Sequence, residues 1–269
     1  GQLGEHRRAR IARPGGGALL VASAGEVRAS AFVANHAERG GGLALREGTV
    51  VVRDTEVRAN VAAVQGGGVF SDSNSALIGN VVVDNHAGWT GGGVLVVGHA
   101  PLIEQNTISG NDAINDGGGI YFDQGAATLR GNVIADNVSG DDGGGVRVFE
   151  GALVIEANIV ERNQAGDGGG GIRISHVPCT LIDNVVRDNV AANTGGGMDL
   201  DNDASLVRGG EVTGNQASSG GGIFGWLAPW TGLRLENVRI ADNNAWRGGG
   251  IFLDDNFEPV VMTGLLVEH

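Results

Sequence analysis

Residues 143–168 read GGGVRVFEGALVIEANIVERNQAGDG, and most of the chain is built from variants of this stretch. Each variant begins with a run of glycines. The starts are Gly15, Gly40, Gly66, Gly91, Gly117, Gly143, Gly169, Gly195, Gly220 and Gly248. The period is 25 or 26 residues, with one late repeat of 28. Glycine triplets at a nearly constant period predict a solenoid of about ten stacked turns, here called rungs.

An apolar residue, a variable residue and a second apolar residue follow each triplet, as in Ile120-Tyr121-Phe122. This period of two predicts a β-strand whose outer members face the core and whose middle member faces solvent. Two further short runs, 127–130 and 133–136 in the same rung, predict three strands per rung. A helical repeat is disfavoured, because each glycine destabilises a helix by about 0.5–1 kcal/mol relative to alanine.

Asparagine recurs at two positions of the repeat. One column is Asn80, Asn106, Asn132, Asn158, Asn184 and, after a gap at Gly210, Asn237. The other column is Asn35, Asn60, Asn85, Asn111, Asn137, Asn163, Asn189, Asn215 and Asn243. Asparagine tolerates left-handed backbone angles, and stacked amides about 4.8 Å apart can hydrogen-bond to one another. We therefore expect two structural ladders at the corners of the coil rather than a binding site.

The repeat resembles the right-handed parallel β-helix of the pectate-lyase-like superfold, and in particular the repeats of polymorphic outer-membrane proteins. The resemblance lies in Gly118-Gly119-Ile120 and its copies and in Phe32-Val33-Ala34-Asn35, relaxed elsewhere to Ile134-Ala135-Asp136-Asn137. It implies an all-β fold, a right-handed parallel β-helix of about ten rungs of 25–26 residues. Residues 15–269 form one domain in this interpretation, and residues 1–14 form a basic lead-in or cap. No catalytic motif of a lyase or hydrolase family carries over.

The charge of the chain excludes several classes of protein. The formal net charge is −13, which argues against nucleic-acid binding because phosphate recognition requires clustered positive charge. All eighteen basic residues are arginine, so a Schiff-base or phosphate-loop lysine is excluded. The sequence contains no membrane-spanning stretch. We expect an extracellular or cell-surface bacterial protein. Its basic N-terminal part and acidic remainder also suggest end-to-end self-association.

Residues one period apart are neighbours in a solenoid, so candidate sites follow columns. The middle position after the triplets and the position two residues later predict an outward groove with aromatic ends and a charged centre. Its members are Tyr121, Asp123, Arg147, Phe149, Arg173, Phe224 and Trp226, with His176 in the turn that follows Ser175. Aromatic rings and arginines suit a polysaccharide with acidic groups. An exposed ladder of ion pairs, with Arg173 neutralising Asp199, explains the same residues without a ligand.

The sequence offers three candidate catalytic residues. Asp199 and Asp201 alternate on one strand and face the same side, with Arg173 one rung away. A pair of carboxylates can perform acid–base chemistry on a glycosidic bond. We expect Arg173 to keep Asp199 ionised, which suits an ion pair or a ligand contact better than a general acid.

Acidic residues also stack just before the glycines. Asp116 and Asp142 share one column, and Asp141 and Asp167 share the next. Uncompensated carboxylates about one strand spacing apart repel, and a hard cation with oxygen ligands would relieve the repulsion. These four aspartates are therefore a candidate calcium site. Solvated turn residues are the alternative, and the sequence predicts no other cofactor.

Two functions fit these observations. The first is a secreted or cell-surface structural and binding module, adhesive in character, with a groove that takes carbohydrate. The alternative is a carbohydrate-active enzyme, a lyase or glycoside hydrolase acting on acidic polysaccharide. The repeats vary by at most three residues, whereas enzymes on the fold that the repeat resembles usually build their clefts from long insertions. The regular length therefore favours the binding module.

Overall fold

The computed structural model describes residues 17–201, 205–227, 232–255 and 260–268, and the predicted lead-in at residues 1–14 lies outside them. The described residues form strands joined by short turns. No helix among them is long and apolar enough to cross a membrane. The chain winds as a parallel β-helix, because each strand pairs in parallel with the strand one rung later.

Each rung contributes one strand to each of three ten-stranded sheets. The first sheet, which follows the glycine triplets, contains β1 Ala18–Val21, β5 Leu43–Arg46, β9 Val69–Asp72, β13 Val94–Val97, β17 Ile120–Gly125, β21 Val146–Gly151, β25 Ile172–Ser175, β29 Met198–Asp201, β33 Ile223–Leu227 and β37 Ile251–Asp255. The second contains β2 Ala24–Arg28, β6 Thr49–Arg53, β10 Ala76–Ile78, β14 Leu102–Glu104, β18 Thr128–Arg130, β22 Val154–Glu156, β26 Thr180–Ile182, β30 Leu206–Arg208, β34 Arg234–Glu236 and β38 Val261–Thr263. The third contains β3 Ala31–Val33, β7 Glu56–Arg58, β11 Val81–Val83, β15 Thr107–Ser109, β19 Val133–Ala135, β23 Ile159–Glu161, β27 Val185–Arg187, β31 Glu211–Thr213, β35 Arg239–Ala241 and β39 Leu266–Glu268.

A fourth sheet was not expected from the sequence. Its nine described strands are β4 His36–Arg39, β8 Val61–Gln65, β12 His86–Ala87, β16 Asp112–Ala113, β20 Val138–Ser139, β24 Gln164–Ala165, β28 Val190–Ala191, β32 Gln216–Ser219 and β36 Asn244–Arg247. Five of them, β12 to β28, are only two residues long, too short to show the alternation of apolar and polar residues that identifies a strand. The β-helix prediction is confirmed, with four strands per rung in place of the predicted three.

The core is one continuous apolar column inside the coil. The first and third residues after each triplet face it, and Ile120, Phe122 and Val146 are fully buried there. Apolar residues from the second and third sheets, such as Leu129 and Ile134, complete the cluster. Each rung therefore buries its apolar residues against the rungs above and below, which makes stability a sum of neighbouring contacts.

The two asparagine columns form ladders. The Asn137 side chain accepts hydrogen bonds from the backbone and side-chain nitrogens of Asn111, both at 3.0 Å. Its amide nitrogen donates to Asn163 Oδ1 at 2.9 Å and to the Ile108 carbonyl at 3.0 Å. The same pattern recurs at neighbouring rungs. Asparagine side chains therefore provide hydrogen-bond partners for the buried backbone N–H and C=O groups at this corner.

Left-handed backbone angles occur one residue before the ladder asparagines rather than at them. Asp136 and Arg162 have φ of 57° and 53°, and the asparagines that follow lie outside the left-handed region. Asn237 also has a left-handed φ of 54°, and Val238 occupies the ladder position of its rung. Its assignment to the first asparagine column was therefore wrong by one residue, because the 28-residue repeat hides the register.

The glycines of a triplet serve two purposes. Gly143 has a φ of +64°, which favours a residue without a Cβ atom. Gly145 has no such angle, but a Cβ atom there would lie 2.6 Å from the Gly171 carbonyl oxygen of the next rung. The triplet therefore combines a turn with a close approach of successive rungs.

The ladder generates a stability prediction. Replacing Asn137 by Leu removes four side-chain hydrogen bonds and leaves buried backbone groups of Asn111 and Ile108 without those partners. We expect the free energy of unfolding to fall by about 2–4 kcal/mol, measured by urea denaturation. Asn193→Leu is the control, because Asn193 is exposed and its side chain makes one hydrogen bond within the described residues, to Asp167. Equal losses in the two variants would contradict a structural role for the ladder.

Candidate functional site

The middle residues of the first-sheet strands stack in the predicted register. Tyr121 pairs with Arg147, Arg147 with Arg173, and Arg173 with Asp199, and Phe224 and Phe252 continue the column. These side chains point away from the core, but the expectation that they all face solvent was wrong. Arg147 and Phe224 are buried, and Asp199 is 0% exposed.

The residues just before each triplet cover this column. We call them the ledge: Trp89-Thr90, Asn115-Asp116, Asp141-Asp142, Asp167-Gly168, Asn193-Thr194 and Ser218-Ser219. The ledge residues of successive rungs are joined by backbone hydrogen bonds, as from Asp167 to the Asp141 carbonyl. The first glycine after the ledge lies close against the column, since a Cβ atom on Gly169 would meet Arg173 Cβ at 2.6 Å. The outer face of the first sheet is therefore a narrow space between strands and ledge.

Arg173 is the centre of a charged network in this space. Its Nε lies 2.9 Å from Asp142 Oδ2, its Nη1 lies 2.6 Å from Asp199 Oδ2, and its Nη2 lies 3.5 Å from Asp201 Oδ2. Three carboxyl groups, one from the ledge and two from strand β29, thus face one guanidinium. The predicted pair of Arg173 and Asp199 exists, but it is buried rather than exposed, and electrostatic interactions are stronger there than at a solvated surface.

Arg147 extends the network by one rung and is committed to protein partners. Its Nη1 donates to Ser175 Oγ at 2.6 Å and to the Val148 carbonyl at 2.7 Å. Its Nε lies 3.8 Å from Asp142 Oδ2, and its guanidinium lies over the Phe149 ring at 5.6 Å from the centroid. Arg147 is therefore a buried structural cation that cannot contact a ligand on the outer face.

Only one carboxylate oxygen of Asp199 is hydrogen-bonded within the described residues. Its Oδ2 accepts hydrogen bonds from Arg173 and from the Thr194 hydroxyl, whereas its buried Oδ1 has no hydrogen-bond partner among the described residues. Burial raises the pKa of Asp199 above its ordinary value, against the opposing effects of Arg173 and Thr194. The sequence argument, in which Arg173 alone fixed the charge of Asp199, missed this desolvation.

Asp142 joins the ledge to the network. Its Oδ1 accepts the Gly168 N–H at 3.1 Å, and its own N–H donates to Asp116 Oδ1 at 3.2 Å. Burial raises the pKa of Asp142 to about 6, although Arg173 and Arg147 oppose the shift. Burial also raises the pKa of Asp116, and the backbone hydrogen bond from Asp142 opposes it.

The predicted acidic cluster comes together in part. Carboxylate oxygens of Asp141, Asp142 and Asp167 lie within 4.8 Å of one another, and this group does not include Asp116. The repulsion that motivated a cation is already reduced, because Asp142 contacts Arg173 and Asp167 Oδ1 accepts a hydrogen bond from Asn193 at 2.6 Å. A cation at this corner would therefore compete with a guanidinium for Asp142.

A cavity lies beside the network, and we call it the Gly168 cavity after the ledge glycine next to it. Gly168 packs closely against the network, since a Cβ atom there would lie 2.6 Å from Asp199 Oδ2 and 2.8 Å from Thr194 Oγ1. The cavity has a volume of about 390 Å³ and is lined by Asp167, Arg173, Thr194, Asp199, Asp201, Phe224 and Trp226. Sequence reasoning missed Gly168 and Thr194. The available signal was the run of four glycines at 168–171, where the other repeats have three.

The predicted groove residues divide into two sets. Arg173, Phe224 and Trp226 line the cavity together with the catalytic candidates Asp199 and Asp201. Trp226 is 45% exposed, and the Phe224 ring stacks on Phe252 with 5.7 Å between centroids.

The remaining predicted members lie elsewhere. Phe149 and His176 pack edge-to-face at 5.7 Å between centroids. Tyr121 is half-buried, and burial raises its pKa to about 12. Asp123 lies near Glu150, and burial first and that charge second raise the pKa of Asp123. The continuous groove expected from the sequence is therefore interrupted at Arg147, because the ledge covers the column there.

Comparison with known proteins places the fold in a family. The model of a right-handed β-helix region matches residues 87–228, just over half of the chain. No curated protein and no solved structure matches the sequence.

Calcium binding stays a prediction. If Asp141, Asp142 and Asp167 bind the ion, millimolar calcium should raise the melting temperature by mass action, and Asp167→Asn should lose that shift. Scanning calorimetry and calorimetric titration of chelator-treated protein measure both effects. The absence of heat and of a thermal shift in the wild type would remove calcium from this corner.

The raised pKa of Asp142 predicts a pH dependence of stability. Its folded value of about 6 exceeds its ordinary value of 3.8, so the contribution of the protonated carboxyl is complete below about pH 4 and is lost as pH rises through 6. Asp142→Asn keeps the shape and cannot ionise. From pH 4 to 7.5 we expect the wild type to lose about 1–3 kcal/mol of unfolding free energy relative to this variant.

Urea denaturation of both proteins in chelator-containing buffer measures this difference. Asp141→Asn is the matched control, since Asp141 is the exposed neighbour of Asp142. A wild type that gains stability over Asp142→Asn as pH rises would mean that the arginines outweigh burial.

Proposed function

The chain belongs to the right-handed β-helix family, and from that premise we propose that it is a secreted or cell-surface structural and binding module whose outer cavity takes a neutral carbohydrate. The observation that carries the proposal is the cavity at Gly168. It combines an exposed tryptophan, a row of fixed carboxyl groups and a hydroxyl within about 390 Å³. A concave site with an apolar wall and a few convergent polar groups is the usual form of a small-ligand site.

Trp226 supplies the apolar wall. Its ring is 45% exposed, and Asp201 and Asp254 are its strand neighbours. A tryptophan offers a large rigid surface with little conformational entropy to lose, which suits the C–H face of a sugar ring. The stacked pair Phe224 and Phe252 supports that side of the cavity.

The polar wall favours hydroxyl donors. Asp167 and Asp201 face the cavity with one guanidinium, Arg173, and the fully buried Asp199 adds a third carboxyl group to the wall, so carboxyl groups outnumber the cation by three to one. Carboxylates accept hydrogen bonds, and sugar hydroxyls donate them. Arg173 already lies within 4.0 Å of three carboxyl groups, which compete with a ligand carboxylate for the guanidinium. These contacts support a neutral sugar over the acidic polysaccharide suggested by the arginines in the sequence.

The same contacts disfavour the enzymatic alternative. Asp199 is fully buried, with one oxygen bound to Arg173 and Thr194. Asp201 shares Arg173 with it. A general acid has to reach the glycosidic oxygen, and Asp199 has no exposed surface for that contact. We therefore assign the cavity to binding, with a hydrolase or lyase as the alternative that the assay below tests.

The remaining parts of the proposal rest on the sequence. An acidic chain without lysine supports a location outside the cell, and a rigid repeat scaffold supports an adhesive role. Stacking of chains end to end also stays a prediction.

Binding is tested with a panel of neutral oligosaccharides and matched uronic acid oligosaccharides, using calorimetric titration. We expect saturable binding of a neutral member. Trp226→Ala should weaken it at least fivefold, about 1 kcal/mol, because the stacking surface is lost. Trp246→Ala is the control, since Trp246 is 91% exposed and does not line the cavity.

Three results would contradict the proposal: equal effects of the two tryptophan variants, a preference for uronic acids, or no binding across the panel. Reducing ends and unsaturated products are scored in the same samples. Turnover that disappears in the double variant Asp199→Asn, Asp201→Asn would establish the enzyme in place of the binding module.

A further inference from the structure

A second cavity lies on the same outer face, near the other end of the coil. Its volume is about 370 Å³, comparable to that of the Gly168 cavity, and its lining is different. The floor is apolar and consists of Leu19, Ala44 and Phe70 from three successive strands, β1, β5 and β9. We call it the Phe70 cavity. Its volume lies within the range of small-ligand sites.

The floor is not part of the main core. Ala44, Phe70 and Leu95 form a separate buried cluster, against which Leu19 and Tyr121 pack. At Leu95 the ledge covers the column completely, whereas Leu19 stays partly exposed at the first described rung. Leu19 is therefore the accessible part of this apolar floor, and the buried Ala44 and Phe70 continue it beneath the cavity. An apolar floor between walls favours a ligand with an apolar body.

Two arginines border this floor. Arg39, at the end of β4, places its guanidinium 5.7 Å from the centroid of the Phe70 ring. Arg46, at the end of β5, lies 4.0 Å from Asp72, a carboxylate that also contacts His99 at 3.1 Å. With Glu38, the charged groups that line the cavity are two cations and one anion. Because Asp72 pairs with Arg46, Arg39 is the cation of this cavity that has no carboxylate partner among the described residues.

Arg39 stands out by its lack of an ionic partner. Within residues 17–201, 205–227, 232–255 and 260–268, every other arginine except Arg247 lies within 4.0 Å of a carboxylate. The register between β4 and β8 shifts between Ala37 and Arg39. Such an irregularity changes the direction in which a side chain points, and here the Arg39 guanidinium lies over the Phe70 ring.

From this geometry we propose that the Phe70 cavity binds a small amphipathic anion, a carboxylate carried on an aromatic ring or a short apolar chain. The apolar body lies on Leu19, Ala44 and Phe70, and the carboxylate meets Arg39, with Arg46 as the second cation. A charge-assisted hydrogen bond from Arg39 supplies the preference for an anion. The site is separate from the Gly168 cavity, whose lining is acidic, so it does not depend on carbohydrate binding.

The test uses 2-naphthoate and its neutral analogue 2-naphthamide, which have nearly the same shape and differ in charge. Calorimetric or fluorescence titration of the whole chain should give saturable binding of naphthoate, at least fivefold tighter than naphthamide. Arg39→Gln should remove this preference. Arg247→Gln is the matched control, because Arg247 is the other arginine without an ion pair in the described residues and does not line the cavity.

A filling variant locates the site. Ala44→Leu adds a larger side chain to the floor, in a column where the adjacent rungs already carry Leu19 and Phe70. It should abolish binding of both compounds, with an unchanged melting temperature showing that the fold is intact. Equal affinities for the two compounds, equal effects of the two arginine variants, binding that survives Ala44→Leu, or no saturation below about 5 mM would each overturn the proposal.

Discussion

The rest of the structure depends on how the backbone is hydrogen-bonded at the buried corners of the coil. At each corner the backbone changes direction inside the molecule, where its N–H and C=O groups have no access to water. The ladder asparagines satisfy those groups and also bond to one another from rung to rung. Because an unsatisfied buried group is expensive, the chain has to return to the same position every rung. The constant period is the consequence of that requirement.

A constant period turns the fold into a set of columns. A residue in one rung lies one strand spacing, about 4.8 Å, from its equivalents in the next. Changes along a single column therefore create different surfaces on one uniform scaffold. On the outer face of the first sheet the column passes from apolar residues through Arg147, Arg173 and Asp199 to the stacked Phe224 and Phe252. The two cavities lie where this column changes between apolar and charged residues and where the ledge buries it less completely.

The charged network around Arg173 contributes little to the free energy of folding. Removing Asp142, Asp199 and Arg173 from water is unfavourable, and their mutual contacts offset only part of that penalty. Buried ion pairs of this kind are weak sources of stability. Their effect here is to fix Arg173 between the ledge and strand β29 and to orient carboxyl groups toward the Gly168 cavity. The network therefore contributes more to the arrangement of the outer face than to the stability of the coil.

The sequence by itself determined the period, the strand after each triplet, the inward apolar positions and the long asparagine ladder. These follow from spacing along the chain, because residues one period apart are neighbours whatever the corners look like. Register along the first sheet was predictable for the same reason, and Arg173 beside Asp199 was expected from it.

Only the tertiary structure decided which columns are buried. The ledge lies over the outer face because of the corner geometry, and a short corner segment carries no period from which its position can be inferred. Burial of Asp199, the raised pKa of Asp142 and the close packing of Gly168 against the network all depend on that cover. The fourth sheet and the displacement of Asn237 were missed for a related reason, since two-residue strands and a single longer repeat leave too little pattern to fix a register. Spacing thus predicts neighbours, whereas exposure and charge state depend on where the intervening turns pack.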